Sequence, residues 1–173
     1  GEWSAAATFY TECAPMALPF YEDFNAYDVG NYNNNTLPPF YGIKVSKENN
    51  SVVCAYVKAA NGSSAYAQDH TYGKDAEKGL LYMNASYSGP YQVFLILPEF
   101  ETPLNQINVR FYGGFSTAWA PSASTAGYVQ VGYIDSLDQY HRIEDCKFLI
   151  KNEYNEFNVD CSSLPASAKG RLC

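Results

Sequence analysis

The residues best suited to chemistry in this chain are aromatic and polar side chains in two long polar stretches. The stretch "AANGSSAYAQDHTYGKDAEKG" (59–79) contains Tyr66, Asp69, His70 and Tyr72, and "GGFSTAWAPSASTAG" (113–127) contains Trp119. Flat aromatic rings can stack on a sugar ring while nearby polar groups orient its hydroxyls. Long connections on a rigid scaffold are where binding sites commonly lie. These five residues are the predicted ligand-binding set, with the alternative that Trp119 folds back and covers one end of the domain.

Catalytic chemistry has weaker support. A hydrolytic triad needs a histidine, and the chain contains two, His70 and His141. Asp69 precedes His70, but adjacent residues of an extended chain point to opposite sides. His141 lies in the polar stretch "DQYHRIED", where we expect it to be solvated, and no GxSxG nucleophile elbow occurs. We therefore expect no enzyme.

The residual catalytic candidate is a glycosidase that uses Glu99 and Glu101. Two residues apart on a strand, they would share one face at a spacing of about 6.6 Å, within the range that paired glycosidase carboxylates use. Most sheets offer such a spacing by chance, and Pro98 indicates that the strand is ending there.

Composition narrows the class of protein. The chain has 173 residues, 47% of them hydrophobic, which is enough for one domain and excludes a disordered chain. Tyr (16) and Phe (10) dominate the hydrophobic fraction, and aromatic residues favour strands. The net charge of −7 and the lack of a basic run argue against a nucleic-acid partner. No apolar run approaches the roughly 20 residues of a membrane span, so membrane insertion is not expected.

The cysteines leave their own pairing open. There are five, Cys13, Cys54, Cys146, Cys161 and Cys173, and none forms a CxxC pair. With so few histidines, a zinc site is not expected. An odd count leaves at least one thiol without a partner in this chain. Isolated buried thiols and disulfides both remain open alternatives.

Short segments rich in Val, Ile, Tyr and Phe predict strands along most of the chain. They are "SVVCAYV" (51–57), "YQVFLIL" (91–97), "INVRFYG" (107–113), "GYVQVGYI" (127–134), "CKFLI" (146–150), "YNEFNVD" (154–160) and the "GRLC" that starts at 170. No window has the periodicity of an amphipathic helix over three turns. Strands at this density favour a sandwich or a barrel. "KNE" (151–153) predicts a hairpin that joins 146–150 to 154–160.

Alternation along two of these segments predicts which side chains face the core. Side chains at i and i+2 share a face of a strand. The predicted inward set is Ile107, Val109, Phe111, Val129, Val131 and Tyr133. In this register Arg110 and Gln130 point outward.

Four stretches, in their order along the chain, resemble MAM-like jelly-roll modules. They are "LPFYEDFNAY" (18–27), "LPPFY" (37–41), "FLILPEFETPLNQINVRFYGGF" (94–115) and "YVQVGYIDSLDQYHRIEDCKF" (128–148). The modules concerned are the choice-of-anchor J and cleaved-adhesin type domains of Bacteroidetes surface proteins. The resemblance spans residues 18–160 and rests on the ordered set, since each stretch alone is a strand with turn residues beside it.

This resemblance implies an all-β, two-sheet antiparallel jelly-roll sandwich of the MAM or concanavalin-like kind. It also implies a non-catalytic adhesion or carbohydrate-binding module of a larger bacterial protein that is secreted or lies on the outer cell surface. The expected partners are a glycan or a host or surface protein, together with neighbouring domains of the same chain. The alternatives are a structural spacer without a ligand and an accessory domain of a surface glycoside hydrolase or peptidase.

The opening stretch "EWSAAATFYTEC" resembles the final strand of a fibronectin type III domain. We therefore expect residues 1–13 to be the remnant of a preceding domain or a linker, and residues 14–173 to form the jelly-roll module. In this interpretation the chain is a fragment, and its module lacks a closing strand after "GRLC". An open edge invites pairing, so residues 1–12 are expected to lie across it or to add to a neighbouring molecule.

The resemblance also raises the question of calcium. In the family, "EDF" is commonly followed by an acidic residue of a calcium site, whereas this chain has Asn25 there. Calcium takes six to eight oxygen ligands, and Glu22, Asp23, Asn25 and Asp28 are the candidates for some of them. The alternative is an ordinary strand, in which Tyr21 and Phe24 pack while the acidic side chains face water.

Overall fold

The computed structural model describes residues 14–28, 37–45, 52–59, 78–85, 93–114, 128–147 and 154–173. It describes the backbone alone for 52–59 and 78–85 and for Val45, Val93, Gly114 and Tyr154. The strands are β1 (Gly42–Val45), β2 (Val52–Ala59), β3 (Lys78–Ala85), β4 (Val93–Ile96), β5 (Asn108–Gly114), β6 (Tyr128–Ile134), β7 (Tyr140–Lys147), β8 (Tyr154–Asp160) and β9 (Arg171–Leu172). The described part contains one 3-10 turn, Leu104–Gln106. The predicted all-β class is confirmed, and each pairing between named strands is antiparallel.

The strands pair in four groups. β1 pairs with β4, β2 with β3, and β5 with β8, while β6 lies between β7 and β9. The N–H of Leu97, just after β4, donates to the carbonyl oxygen of Leu172 in β9 at 2.8 Å. The end of β4 therefore lies against β9, on the side of β9 that faces away from β6.

Two clusters of buried side chains fill the space between the β5–β8 pair and the sheet of β6, β7 and β9. One contains Leu104, Ile107, Tyr133, Cys161 and Leu172, and the other contains Val131, Cys146 and Val159. Val109 packs against both clusters. Two facing sheets with a shared apolar layer give the described part a sandwich-like form.

The predicted inward register of β5 and β6 is confirmed. Ile107, Val131 and Tyr133 are buried, and the other three predicted residues, Val109, Phe111 and Val129, pack against the clusters. Arg110 is exposed and pairs with Glu156 across the outer face. The period-2 alternation of a strand was sufficient here because one face of each segment is markedly more apolar.

Residues 148–153 of the predicted hairpin lie outside the described residues, and the described strands on either side of them pair with other strands. β7 pairs with β6 and β8 pairs with β5, so consecutive strands lie in opposite sheets. β7 also begins at Tyr140, whereas the predicted segment was 146–150. The turn after β6 is only five residues long and is closed by the backbone bond between Asp135 and Gln139. This local closure directs β7 to β6, since a short turn costs less chain entropy than a longer connection.

The sequence analysis did not predict β1 and β3, but it did predict β9. β1 is four residues long, and β3 has the sequence KGLLYMNA, which lacks β-branched residues. Propensity and alternation are weak in such segments. The strand predicted at "GRLC" is present as β9, which pairs with Tyr133 and Ile134 of β6.

Three thiols in the described part are free. Cys146 and Cys161 are buried in the two clusters, as the isolated-thiol alternative holds, and Cys173 is half-buried. Burial raises the pKa of each of these thiols, and that of Cys173 to about 11. They therefore stay protonated near neutral pH and behave as small apolar side chains.

No helix in the described ranges has the length and apolar character needed to cross a bilayer.

Candidate functional site

A turn at residues 21–28 presents the most exposed aromatic side chain in the described part of the chain. The residues before it are tied to the fold by the edge-to-face contact between Phe20 and Phe100, with ring centroids 5.5 Å apart. Tyr21 follows, and 83% of its surface is exposed. An aromatic side chain this exposed, next in sequence to one that is packed, is available to a ligand.

Glu22 shapes the turn with both of its carboxylate oxygens. Oε1 accepts from the N–H of Phe24 at 2.7 Å, and Oε2 accepts from the hydroxyl of Tyr27 at 2.9 Å. Asp23 makes a smaller loop of the same kind, accepting from the N–H and from the side-chain amide of Asn25 at 2.9 and 3.2 Å. Such local bonds from a side chain to the backbone compete with the backbone hydrogen bonds that "YEDF" would make in a strand.

The turn contacts the segment that leads into β1. The Phe24 ring lies 6.1 Å from that of Tyr41. Phe24 and Phe40 have φ angles of 61° and 75°, in the left-handed region that bulky residues rarely adopt. Arg171 of β9 donates to the carbonyl oxygen of Phe40, which fixes that peptide. Backbone of this kind persists only where surrounding contacts determine it, so both segments have a defined shape.

The phenols of Tyr27 and Tyr41 stay protonated near neutral pH. Burial, followed by the nearby Glu22 carboxylate, raises the pKa of Tyr41 well above its ordinary value. Burial and the hydrogen bond to Glu22 raise the pKa of Tyr27 as well. Neutral phenols with raised pKa values donate hydrogen bonds but are poor bases. The arrangement therefore suits binding more than proton transfer.

The four predicted calcium ligands lie in this turn, and the calcium prediction stays a prediction. The oxygens of Glu22 and Asp23 are used in the bonds just described, and Asn25 and Asp28 are exposed. Within the described residues, no group of three or more His, Cys, Asp or Glu side chains is arranged to hold a metal ion. The alternative of an ordinary strand is wrong for this segment, because residues 21–24 belong to no strand, residues 24–27 form turns and bends, and Tyr21 is exposed.

Glu99 and Glu101 lie on the surface beyond the end of β4. Both are exposed, and their backbones bond Met16: the carbonyl oxygen of Glu99 accepts from the N–H of Met16 at 2.7 Å, and the N–H of Glu101 donates to the carbonyl oxygen of Met16 at 3.0 Å. The segment is extended but belongs to none of the named strands. This placement adds no observation in favour of the glycosidase alternative.

His141 forms a pair with Asp135 that the sequence did not predict. Its Nε2 lies 2.7 Å from Oδ2 of Asp135, and its ring stacks on that of Tyr133 at 4.7 Å. The side chain is 41% exposed. Asp135 and His141 flank the turn between β6 and β7, so a correct hairpin assignment at "DSLDQYH" would have brought them together.

The predicted ligand-binding set falls outside the described residues. Trp119 lies in 115–127, between β5 and β6, and Tyr66, Asp69, His70 and Tyr72 lie in 60–77, between β2 and β3. The site prediction for these five residues stays a prediction. Tyr21 and Phe40 are exposed aromatic residues in the described structure that the sequence analysis did not select. No alternation or motif singles them out, because their exposure depends on the turn geometry.

No family model, no curated protein and no solved structure matches this chain.

Proposed function

We propose that the chain is a non-catalytic carbohydrate-binding or adhesion module of a larger secreted or cell-surface bacterial protein. The observation that carries the proposal is that both long polar segments attach to antiparallel strands, and that one of them connects the two facing sheets. Residues 60–77 join the paired Ala59 and Lys78. Residues 115–127 join β5 to β6, which lie in opposite sheets. Aromatic and polar residues on such connections are a common basis of ligand recognition.

We also propose that the sheets form a jelly roll. Support comes from the order in which the chain visits them: β5 in one sheet, β6 and β7 in the other, β8 back in the first, and β9 in the second. Repeated crossing between two antiparallel sheets is typical of Greek-key and jelly-roll folds.

The non-catalytic part of the proposal is supported by the roles of the acidic groups. Asp135 bonds two backbone N–H groups of its own turn as well as His141. Glu22 and Asp23 close the turn around Phe24. These groups stabilise local structure, which accounts for their positions without a reaction.

A glycan array tests the function. The wild-type chain should bind at least one glycan whose binding is abolished in Trp119→Ala while the far-ultraviolet circular dichroism stays the same. Leu137→Ala is the matched control, because Leu137 is an exposed apolar residue at the turn between β6 and β7, outside both segments. Silence of the folded wild-type chain on the array would contradict the proposal and favour a structural spacer.

A further inference from the structure

We propose that Tyr21 is the stacking platform of a second site, outside the two long segments, and that this site takes a neutral glycan. The inference rests on the proposed carbohydrate-binding function and adds to it a location and a class of ligand. Tyr21 lies at the start of the turn 21–28, and Phe40 lies in the segment that the turn contacts.

The exposed apolar side chains of the described part are concentrated here. Of the five large hydrophobic residues that are exposed in the described part, Leu18, Tyr21 and Phe40 belong to the ranges 14–28 and 37–45, at 38%, 83% and 44% exposure. Single exposed apolar residues are ordinary on a protein surface. Three in two segments that touch each other through Phe24 and Tyr41 make a local concentration that needs a reason.

The backbone that carries Tyr21 is held on both sides. Phe20 packs on Phe100, and Phe24 lies against Tyr41 with a φ of 61° that its neighbours impose. Glu22 bonds both the backbone N–H of Phe24 and the hydroxyl of Tyr27. A ring presented on such a fixed turn loses little conformational freedom when a ligand stacks on it, which favours binding.

The polar groups beside the ring select the class of ligand. Each oxygen of Asp23 accepts one hydrogen bond from Asn25, and a carboxylate oxygen has a second acceptor position. Asp23 lies two residues after Tyr21 in the chain. A fixed acceptor close to an exposed aromatic residue suits a sugar, which offers C–H groups to a ring and hydroxyl donors to a carboxylate. An anionic glycan would meet the charges of Glu22 and Asp23 on a chain of net charge −7, so the ligand should be neutral.

A basic peptide is the competing class, since a cation can also lie over an aromatic ring near carboxylates. The geometry favours the glycan, because the carboxylates are already held by directional bonds of the turn. Salt distinguishes the two classes. Attraction of a basic peptide to exposed carboxylates is screened as ionic strength rises, whereas stacking and hydroxyl hydrogen bonds are not.

The test measures titrations of the whole chain with cellohexaose, laminarihexaose, mannohexaose and chitohexaose, with a galacturonic acid hexamer as the anionic probe and hexalysine as the basic probe. One neutral probe or more should bind. For that probe, Tyr21→Ala should weaken binding by about tenfold or more, while Tyr21→Phe, which keeps the ring, should stay within about twofold. Leu137→Ala is the matched exposed control and should bind as the wild type does.

Circular dichroism and the unfolding midpoint establish that Tyr21→Ala is folded, as expected for a residue 83% exposed. If folded Tyr21→Ala binds every neutral probe as tightly as the wild type does, the inference is overturned. The proposed function still stands in that case if Trp119→Ala abolishes the binding of one of these probes. If no neutral probe binds the wild type, the inference fails, and the array decides the proposed function separately. Tyr21-dependent binding of hexalysine that is lost at high salt, or of the galacturonic acid hexamer, overturns the neutral-glycan assignment.

Discussion

Asp135 organises the turn between β6 and β7 with both of its carboxylate oxygens. Oδ1 accepts from the N–H groups of Leu137 and Gln139, each at 2.9 Å, and Oδ2 bonds His141. The hydrogen bond to His141, followed by that from Gln139, holds the pKa of Asp135 below its ordinary value. Asp138 in the same turn forms an ion pair with Lys44 of β1. Single side chains therefore tie this hairpin both to itself and to β1.

The lowered pKa of Asp135 predicts a pH dependence of folding stability. A carboxyl whose pKa is lower in the folded than in the unfolded state contributes stability that is present above the unfolded pKa and is lost as pH falls through the folded one. For an aspartate this loss occurs below about pH 4. We expect Asp135→Asn to lower the denaturant midpoint clearly at about pH 6 and by much less at about pH 3.

Denaturant unfolding monitored by fluorescence measures this effect. Ser136→Ala is the control, since Ser136 is an exposed residue of the same turn and does not titrate. An Asp135→Asn variant whose midpoint differs from the wild type equally at both pH values would show that the carboxylate contributes no pH-linked stability.

At the scale of elements, β6 and β7 are joined with an irregularity in register between Val131 and Gly132. Gly132 pairs with Arg142, and its backbone exchanges two hydrogen bonds with Cys173 beyond β9, at 3.0 and 2.9 Å. Tyr140 of β7 lies over Gly132, and its ring packs on Phe94 of β4 with centroids 4.9 Å apart. A close approach of this kind needs a residue without a side chain.

Gly132→Ala should therefore destabilise the protein strongly. A Cβ at this position would overlap the backbone carbonyl oxygen of His141 and lie 2.8 Å from Cζ of Tyr140. Because a backbone atom of a paired strand cannot move aside freely, we expect a cost of about 1–3 kcal/mol or more in the free energy of unfolding. Chemical denaturation gives this value directly.

The matched control is Gly42→Ala in β1. A Cβ there would meet Cβ of Ile96 at 3.5 Å, an ordinary contact. This variant should change the free energy of unfolding by less than about 1 kcal/mol. Equal losses in the two variants would indicate that β6 and β7 approach each other less closely at Gly132 than the structure has it.

At the scale of the whole molecule, β6 is the strand with the most complete surroundings among those described. It has a partner on each side, β7 and β9, and its last four residues, Val131 to Ile134, are all buried. Tyr133 faces the layer between the sheets, while Gly132 lies under Tyr140 on the other face. Local opening of such a strand requires loss of both pairings and of both packing faces.

Hydrogen exchange should therefore be slowest in β6. We expect the amide hydrogens of peptides that cover 128–134 to be protected from exchange longest. Peptides that cover β1 (Gly42–Val45) should exchange earlier, because β1 has one pairing in the described structure, with β4. Mass spectrometry after timed labelling measures both. Protection of β1 equal to that of β6 would contradict this order and would place the β1–β4 pair within the most stable unit.

The sequence by itself determined the all-β class and the inward faces of β5 and β6. In both cases the information is local: aromatic and β-branched residues favour strands, and alternation assigns Ile107 and Val131 to one side because the side-chain period is two. No property of a distant segment was needed for these predictions.

Only the tertiary structure decided which strands pair and which polar or aromatic side chains meet. β7 pairs with β6 because the Asp135 turn closes that hairpin, and β8 returns to β5 in the other sheet. Tyr21 is exposed because Glu22 curls the chain into a turn that rests on Tyr41, whereas its sequence suited a strand equally well. Pairing and exposure depend on contacts between segments far apart in sequence, and the residues of one segment do not specify them.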